Sequence, residues 1–343
     1  MMHGRGRRAF RTCSLIALAG ICAVLLGGCG PSSGSSIVLY NGQHAELTSL
    51  LVAAFEKKTG VKVQIRTNDS AVLADQIIQE GDASPADVFI SENSPELIEL
   101  QRRGLLAQLP RSILDRAPRG DDSPTGNWVG MALRVSSLAY DPALVPRSQL
   151  PASILDFAQP QWKGKIAVAP TDSDFPPLVG AVIAKHGEAA ARTWLAGLKR
   201  NARTYQDEEA VVSAVNRGDV ASGVINQYYW YRLQLELGEK AMHSALYYFS
   251  PNDAGAVVNI SGAARLESSK RQKNAERFIS FLVSRAGQQI IAASDDFEYP
   301  IRPDVAPNDS LPPLASIGHT SISVASLGNG ELAARLIRQA GLI

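Results

Sequence analysis

Residues 37–66 read IVLYNGQHAELTSLLVAAFEKKTGVKVQIR, and this stretch decides the fold. Ile37-Val38-Leu39-Tyr40 is a short apolar run that predicts a strand, and Asn41-Gly42 a turn. From Ala45 to Thr59 the residues Leu47, Leu50, Leu51, Ala54 and Phe55 recur at helical spacing, which places them on one face. Gly60 closes that helix, and Val61 to Arg66 alternates as a second strand. A strand, a helix and a strand of these lengths form an α/β unit built on a largely parallel sheet.

The same alternation continues outward. A helix is predicted over Ala71–Glu80, a buried strand over Ala86–Ile90, and a helix from Pro95 that ends at Gly104. Trp128 to Tyr140 reads as two strands around Arg134, a crossover between lobes. Further strands fall at Lys165–Ala169, Ala221–Ile225 and Val257–Ile260. Helices fall near Leu178–His186, Ala189–Leu198, Glu208–Arg217 and Ala275–Ser284. No low-complexity tract or internal repeat interrupts the pattern. The length exceeds what one hydrophobic core organises, so two α/β lobes are expected. The expected first lobe takes residues 37–130 and a return segment, 259–309. The second takes 131–258, hinge crossovers included, with C-terminal helices of 310–343 packed on it. Mixed sheets with helices on both faces, joined by hinge strands, leave a cleft that closes on a ligand.

The N-terminus sets the expected compartment. Arg5, Arg7, Arg8 and Arg11 precede an apolar run from Ser14 to Leu26, and Leu26-Gly27-Gly28-Cys29 follows. This is the layout of a secretory signal peptide over residues 1–28, too short an apolar run to span a bilayer stably. The ending resembles a bacterial lipobox, which makes Cys29 the lipidated first residue of the mature chain. Pro31 to Ser36 then serves as a flexible tether. The Arg7-Arg8 pair is a weak twin-arginine signal, common enough in such leaders to leave the export route open. Cys13 and Cys22 are lost with the leader, so neither a disulfide framework nor a thiolate metal site remains. Four arginines go with it, and 30 basic residues then face 33 acidic ones, which argues against a nucleic-acid partner.

Candidate ligands for an ion stand just beyond strand ends, where open α/β sheets bind their ligands. His44 follows the first strand and its turn, Glu92 follows Val88-Phe89-Ile90, and Tyr228 and Tyr229 follow Gly223-Val224-Ile225. Carboxylate and phenolate oxygens are hard donors, and two phenolates with one carboxylate balance the charge of Fe(III). The phenolic protons must leave when the ion binds. Taken singly, each residue has a commoner structural use: a solvated or capping histidine, an acid at a helix start, an aromatic packing cluster. The donor set leaves ion binding and packing both open.

At these positions the chain closely resembles the ferric-ion-binding proteins of bacterial iron importers. The likeness is carried by Tyr40-Asn41-Gly42-Gln43-His44, Pro85-Ala86-Asp87-Val88-Phe89 with Glu92, and Ile225-Asn226-Gln227-Tyr228-Tyr229-Trp230-Tyr231-Arg232. Asn259-Ile260-Ser261-Gly262 and Glu298-Tyr299-Pro300-Ile301-Arg302 extend it over the mature chain. The resemblance implies the two-lobed periplasmic-binding-protein fold (type II), and an interlobe cleft holding Fe(III) through His44, Glu92, Tyr228 and Tyr229. It also implies delivery to an ABC permease, by a protein expected to be a monomer that the lipobox-like ending at Cys29 anchors at the outer face of the membrane. Family members complete the coordination with a synergistic anion held by a Ser-Gly-Ala turn and asparagines. Asn226 matches one asparagine, and Asn93 stands where a glutamine is frequent. The turn departs from the pattern, reading Thr171-Asp172-Ser173-Asp174, so that Ser173 alone keeps a matching hydroxyl. Two carboxylates repel a phosphate. The anion is therefore expected to be different, weaker, or replaced by protein oxygen or water; Asp172 or Asp174 approaching the metal is an alternative, with both aspartates solvated on their loop the preferred reading.

Three other readings compete. A binder of a phosphonate or sugar phosphate would want several basic donors in the cleft, where the identified segments are acidic and phenolic. A metal-dependent hydrolase lacks support, since no His-Glu-x-x-His, Gly-x-Ser-x-Gly or Gly-rich phosphate motif is present. A purely structural surface protein has no need of paired tyrosines at a strand end.

Overall fold

The computed structural model describes residues 36–118, 120–317 and 322–343. The leader of residues 1–28, Cys29 and the tether up to residue 35 lie outside the described residues.

The opening stretch folds as β1 (Ser36–Asn41), α1 (Ala45–Thr59) and β2 (Lys62–Thr67), with β1 and β2 parallel and in register from Ser36 opposite Lys62. Leu47, Leu51 and Phe55 are buried as the helical spacing requires, but Leu50 is 52% exposed and does not share their face. It lines a pocket between the lobes, described below. Next come α2 (Ser70–Glu80), β3 (Val88–Ser91), α3 (Ser94–Arg102) and the single turn α4 (Arg111–Leu114). Asp69 starts α2 by accepting from the backbone N–H groups of Ala71 and Val72.

Where two strands were expected around Arg134, one continuous strand runs, β4 (Trp128–Tyr140), buried throughout. Arg134 lies inside it, and a register shift between Gly130 and Ala132 leaves the strand unbroken. The second lobe adds β5 (Ile166–Val168), α5 (Phe175–Asn201), β6 (Ala202–Thr204), α6 (Glu208–Asn216), β7 (Ser222–Asn226), α7 (Gln227–Leu237) and β8 (Ala245–Tyr247). The two helices expected on either side of residue 187 are both present within α5. Gly187 parts them with φ 82° and ψ 166°, a conformation that a side chain would strain. The chain then returns through β9 (Val258–Arg265), α8 (Gln272–Leu282), α9 (Arg285–Ala293) and β10 (Tyr299–Pro300), and ends with α10 (Leu314–Ile317), α11 (Val324–Leu327) and α12 (Glu331–Gln339).

The strand order is β2-β1-β3-β9-β4-β7-β5-β6, with β8 and β10 also pairing to β4. Strands β1, β2 and β3 are parallel, whereas β9 lies antiparallel between β3 and β4. One apolar core takes Ile37 to Val135 and Ile260 to Leu311; another takes Leu138 to Val257 and the end of the chain. Strand β4 passes from the first core to the second after Val135, and the return crossing falls beside Val257 and Val258. The last segment divides between the cores. Leu311, Leu314, Ile317 and Val324 pack on the first, while Leu327, Ala333, Leu336 and Ile337 pack on the second. Ile322 also packs on the second core, so the segment touches both.

Candidate functional site

Four chain segments bring their ends together where β4 leaves the first core. His44 is the N-cap residue of α1, yet its side chain makes no capping bond. Its backbone N–H donates to Gln43 Oε1 at 2.7 Å, and Gln43 donates to Ser261 Oγ at 2.7 Å. The imidazole is thereby turned away from its own helix. Gly42 is required behind it, since a Cβ there would lie 2.2 Å from Ser70 Oγ. The same hydroxyl accepts from the backbone N–H of Glu92 at 2.9 Å, which fixes the chain just past β3. On the other side, Asn226 ends β7 and α7 begins at Gln227, so both tyrosines stand in its first turn, where the helix field favours negative charge.

These side chains converge. His44 Nε2 is 3.5 Å from Glu92 Oε1, and the Tyr228 hydroxyl donates to the same oxygen at 3.4 Å. The His44 and Tyr228 rings meet edge to face at 5.1 Å, and the Tyr228 and Tyr229 rings lie 4.1 Å apart. Tyr228 is fully buried and packs with the first core although its helix belongs to the second lobe. The other His44 nitrogen, Nδ1, lies 3.2 Å from Asp296 Oδ1 but off the line of a hydrogen bond. Beside Tyr229 and Asp296 a pocket of about 470 Å³ opens, lined also by Glu46, Leu50, Arg232 and Leu235.

Sequence reasoning missed the charge at the centre. Arg134 is fully buried, 3.0 Å from Asp174, 3.7 Å from Glu92 and 3.6 Å from Glu298. It also donates to the Glu92 carbonyl at 2.5 Å, to Asn93 Oδ1 at 2.8 Å and to Ser261 Oγ at 2.8 Å. An arginine inside the apolar run Met131-Ala132-Leu133-Arg134-Val135 was the available signal, because a cation is buried only when paired.

The Thr171–Asp174 loop corrects a second expectation, since Asp174 is buried and Asp172 half-buried, both bonded within the protein. Asp172 accepts from the backbone N–H of Asp174 and of Glu208, both at 3.0 Å, and so ties the loop to α6. Asp174 is buried against Arg134, with Tyr228 donating to its Oδ2 at 3.5 Å. Across the cleft, Asn93 donates to the Ser173 carbonyl and to Asp174 Oδ1, each at 3.1 Å, and Ser173 donates to Glu92 Oε2 at 3.3 Å. Asn226 accepts from the Asn259 side chain at 3.2 Å. The three residues expected to hold an anion thus spend these bonds within the protein.

The electrostatics follow from burial among like charges. Burial raises both phenols well above their ordinary value of 10, and the neighbouring carboxylates raise them further. Burial also raises Glu92, against the pull of Arg134, and lifts Glu298 to about 7. At His44 burial opposes the imidazolium, but Asp296, Glu92 and Glu298 outweigh it and raise the pKa from 6.5 to about 9. Each raised group holds its proton more tightly when folded. Glu298 therefore contributes stability that is full below its ordinary 4.5 and lost as pH rises through about 7. His44 contributes stability that is full below 6.5 and lost as pH rises through about 9. The melting temperature of the ion-free protein should accordingly fall by several degrees between about pH 5 and about pH 9. Thermal scans across that range, with a His44→Gln comparison, check this; a flat or rising profile would remove the electrostatic account.

Among the described residues no three His, Cys, Asp or Glu side chains are placed to hold a metal by themselves. An ion here would need the phenols. The set of one imidazole, one carboxylate and two phenols fits a hard trivalent cation better than a soft divalent one.

Comparison with known proteins agrees with this chemistry. Residues 38–294 match the family described as bacterial extracellular solute-binding protein. The chain is 38% identical to the Fe(3+)-binding periplasmic protein of Serratia marcescens, over 95% of this chain and 96% of that one. It is 37% identical to the major ferric iron-binding protein of Neisseria meningitidis serogroup B, over 90% and 93%. Among solved structures, iron-bound HitA from Pseudomonas aeruginosa superposes with a TM-score of 0.85 at 39% identity, covering 89% of this chain and 99% of that one.

Proposed function

The chain belongs to the bacterial extracellular solute-binding proteins, a transport family, and from that premise we propose that it captures Fe(III) in the cleft between its lobes. The observation that carries the reading is the convergence of His44, Glu92 and Tyr228 from three separate segments, with the Tyr229 ring 4.1 Å from that of Tyr228. Glu92 and the two phenolates supply three negative charges, and His44 a neutral donor once its proton leaves. Tyr228 and Tyr229 take the ion first because they are neighbours on one helix; closure then adds His44 and Glu92 from the first lobe. The closed form binds more tightly by the contacts the open form lacks. Delivery is to the permease of an ABC importer, by an extracytoplasmic protein held to the membrane through Cys29 after the leader is removed. An organic phosphate is disfavoured as cargo, since the bonds of Arg134 already go to protein acceptors.

The test is a visible absorption titration of the purified protein with ferric iron. Phenolate bound to Fe(III) gives a charge-transfer band, expected here to saturate at one iron per chain. Saturation without any band would show that the tyrosines pack rather than bind, and would end the proposal.

A further inference from the structure

We propose that the base of the first lobe, the end away from the cleft, is a surface that lies on anionic phospholipid. The inference rests on the membrane-held, extracytoplasmic reading above and not on the nature of the cargo.

Topology sorts the first lobe into two ends. Strands β1 and β3 run towards the site, since His44 follows one and Glu92 the other. Their starts share the far end with the close of each helix that returns between them. There α1 stops at Thr59, and β2 begins at Lys62, opposite Ser36. Strand β9 runs the other way and finishes at Arg265, beside Val88 at the start of β3. The backbone N–H of Leu266 donates to the Asp87 carbonyl at 3.0 Å, and that of Glu267 to the Leu105 carbonyl at 2.9 Å. The chain after α3 and the chain before α8 therefore meet at this end too.

The charges are sorted in the same way. Every lysine of the first lobe lies at the base: Lys57, Lys58, Lys62, Lys270 and Lys273, all exposed. Arg102 stands with them in the last turn of α3. The acids nearby are largely drawn inward. Asp87 is buried against Arg271, while Glu56, Glu99 and Glu276 are half-buried and paired with Lys62, Arg103 and Arg265. Asp82 and Glu267 remain exposed. Two donors of the base lack a hydrogen-bond partner among the described residues, Arg265 Nη1 and Ser268 Oγ. Arg265 is only 8% exposed and lies against the second turn of α8, whose start favours an anion. A headgroup phosphate would accept from both donors.

The opposite end carries the other sign. Exposed Glu46, Glu209, Glu236 and Asp295 line the pocket beside Tyr229, with Arg232 the one cation in its lining. A negative bilayer attracts the base and repels the cleft. Each cation within a Debye length of about 8 Å strengthens that attraction by about fivefold. The chain also enters the fold here, at Ser36. The seven residues from Cys29 to Ser36 reach at most about 25 Å. A lipid on Cys29 thus brings the base to the bilayer, and β1, about 20 Å long, holds the ion site off it and open to the medium.

The sequence supplies its own controls for a test, since the other lysines, Lys163, Lys165, Lys185, Lys199 and Lys240, belong to the second lobe. Purified protein is labelled with an amine-reactive reagent on vesicles of phosphatidylcholine, on vesicles of equal parts phosphatidylcholine and phosphatidylglycerol, and with inorganic phosphate alone. Mass spectrometry then reads each lysine. Labelling of the base lysines should fall by about threefold or more on the anionic vesicles alone, return at high salt, and leave the second lobe unchanged. Lys57, Lys270 and Lys273 make no ion pair among the described residues, and changing all three to Gln should at least halve the protection of Lys58 and Lys62. The ferric titration of that variant should match wild type. Base lysines labelled equally on both vesicles, or protection shared by the second lobe, overturn the surface. Protection by inorganic phosphate alone also overturns it, by assigning the cations to a free anion. Sedimentation with neutral vesicles reports the lipid anchor separately, so an anchored protein without selective protection loses this inference and keeps the reading beneath it.

Discussion

Replacing Tyr228 by phenylalanine should lower the affinity for Fe(III) by at least about a thousandfold, or about 4 kcal/mol, and remove most of the charge-transfer intensity. The hydroxyl lost is the one on which the site closes, 3.4 Å from Glu92 and 3.5 Å from Asp174. It is also one of only two phenolates available to meet a trivalent charge. The ring would stay, with its edge-to-face contact to His44 and its place in the first core. Stability of the ion-free protein should consequently change by no more than about 1 kcal/mol, since the bonds lost are long and the phenol is neutral. Tyr229→Phe should behave alike, and the double variant should show no band. Chelator competition and thermal scans on the same samples separate the two effects. A Tyr228→Phe protein that keeps wild-type affinity would remove that phenol from the ligand set.

Arg134→Met should have the largest effect on folding. It leaves Asp174, Glu92 and Glu298 facing one another without the guanidinium that now lies 3.0 to 3.7 Å from each. Removing one partner of a buried charge group costs about 3–5 kcal/mol, or roughly 10 °C in melting temperature for a chain of this size. The loss should be greatest above about pH 8 and shrink towards about pH 5, where Glu298 and Glu92, both raised by burial, take up protons and the missing cation matters less. Melting within about 2 °C of wild type at the higher pH would show that relaxation or water replaces the guanidinium.

Much of this architecture was legible because the local signals agree with one another. The spacing of Leu47, Leu51 and Phe55, with Gly60 after Thr59, marks α1 to the residue. The tyrosine pair was legible for the same reason: β7 ends where its apolar run ends, so the helix start that follows is fixed. Arg134 carried a local signal in its apolar run, but its partners, like those of Asp296 and Glu298, lie far along the chain, where no local pattern reveals them. The solvated loop expected at Asp172 and Asp174 failed for a related reason. Polar residues between a strand and a helix read as surface, and only the approach of Asn93 and Arg134 makes Asp174 interior. The reading of β4 as two strands failed because it was divided at Arg134, whose charge interrupts the apolar run in sequence but is buried and paired within one continuous strand.

The order of the strands has a consequence for how the protein comes into being. Strand β9, residues 258–265, lies between β3 and β4, both of which precede it by more than a hundred residues. Until it is synthesised, the first core has an open slot, and β3 and β4 each present an unpaired edge to it. The second lobe, by contrast, has β5, β6, β7 and β8 in hand by residue 247. The sheet of the lobe that begins the chain is therefore closed after that of the second, and the chain must run to Arg265 before β9 can fill the slot beside β3, the strand whose end carries Glu92.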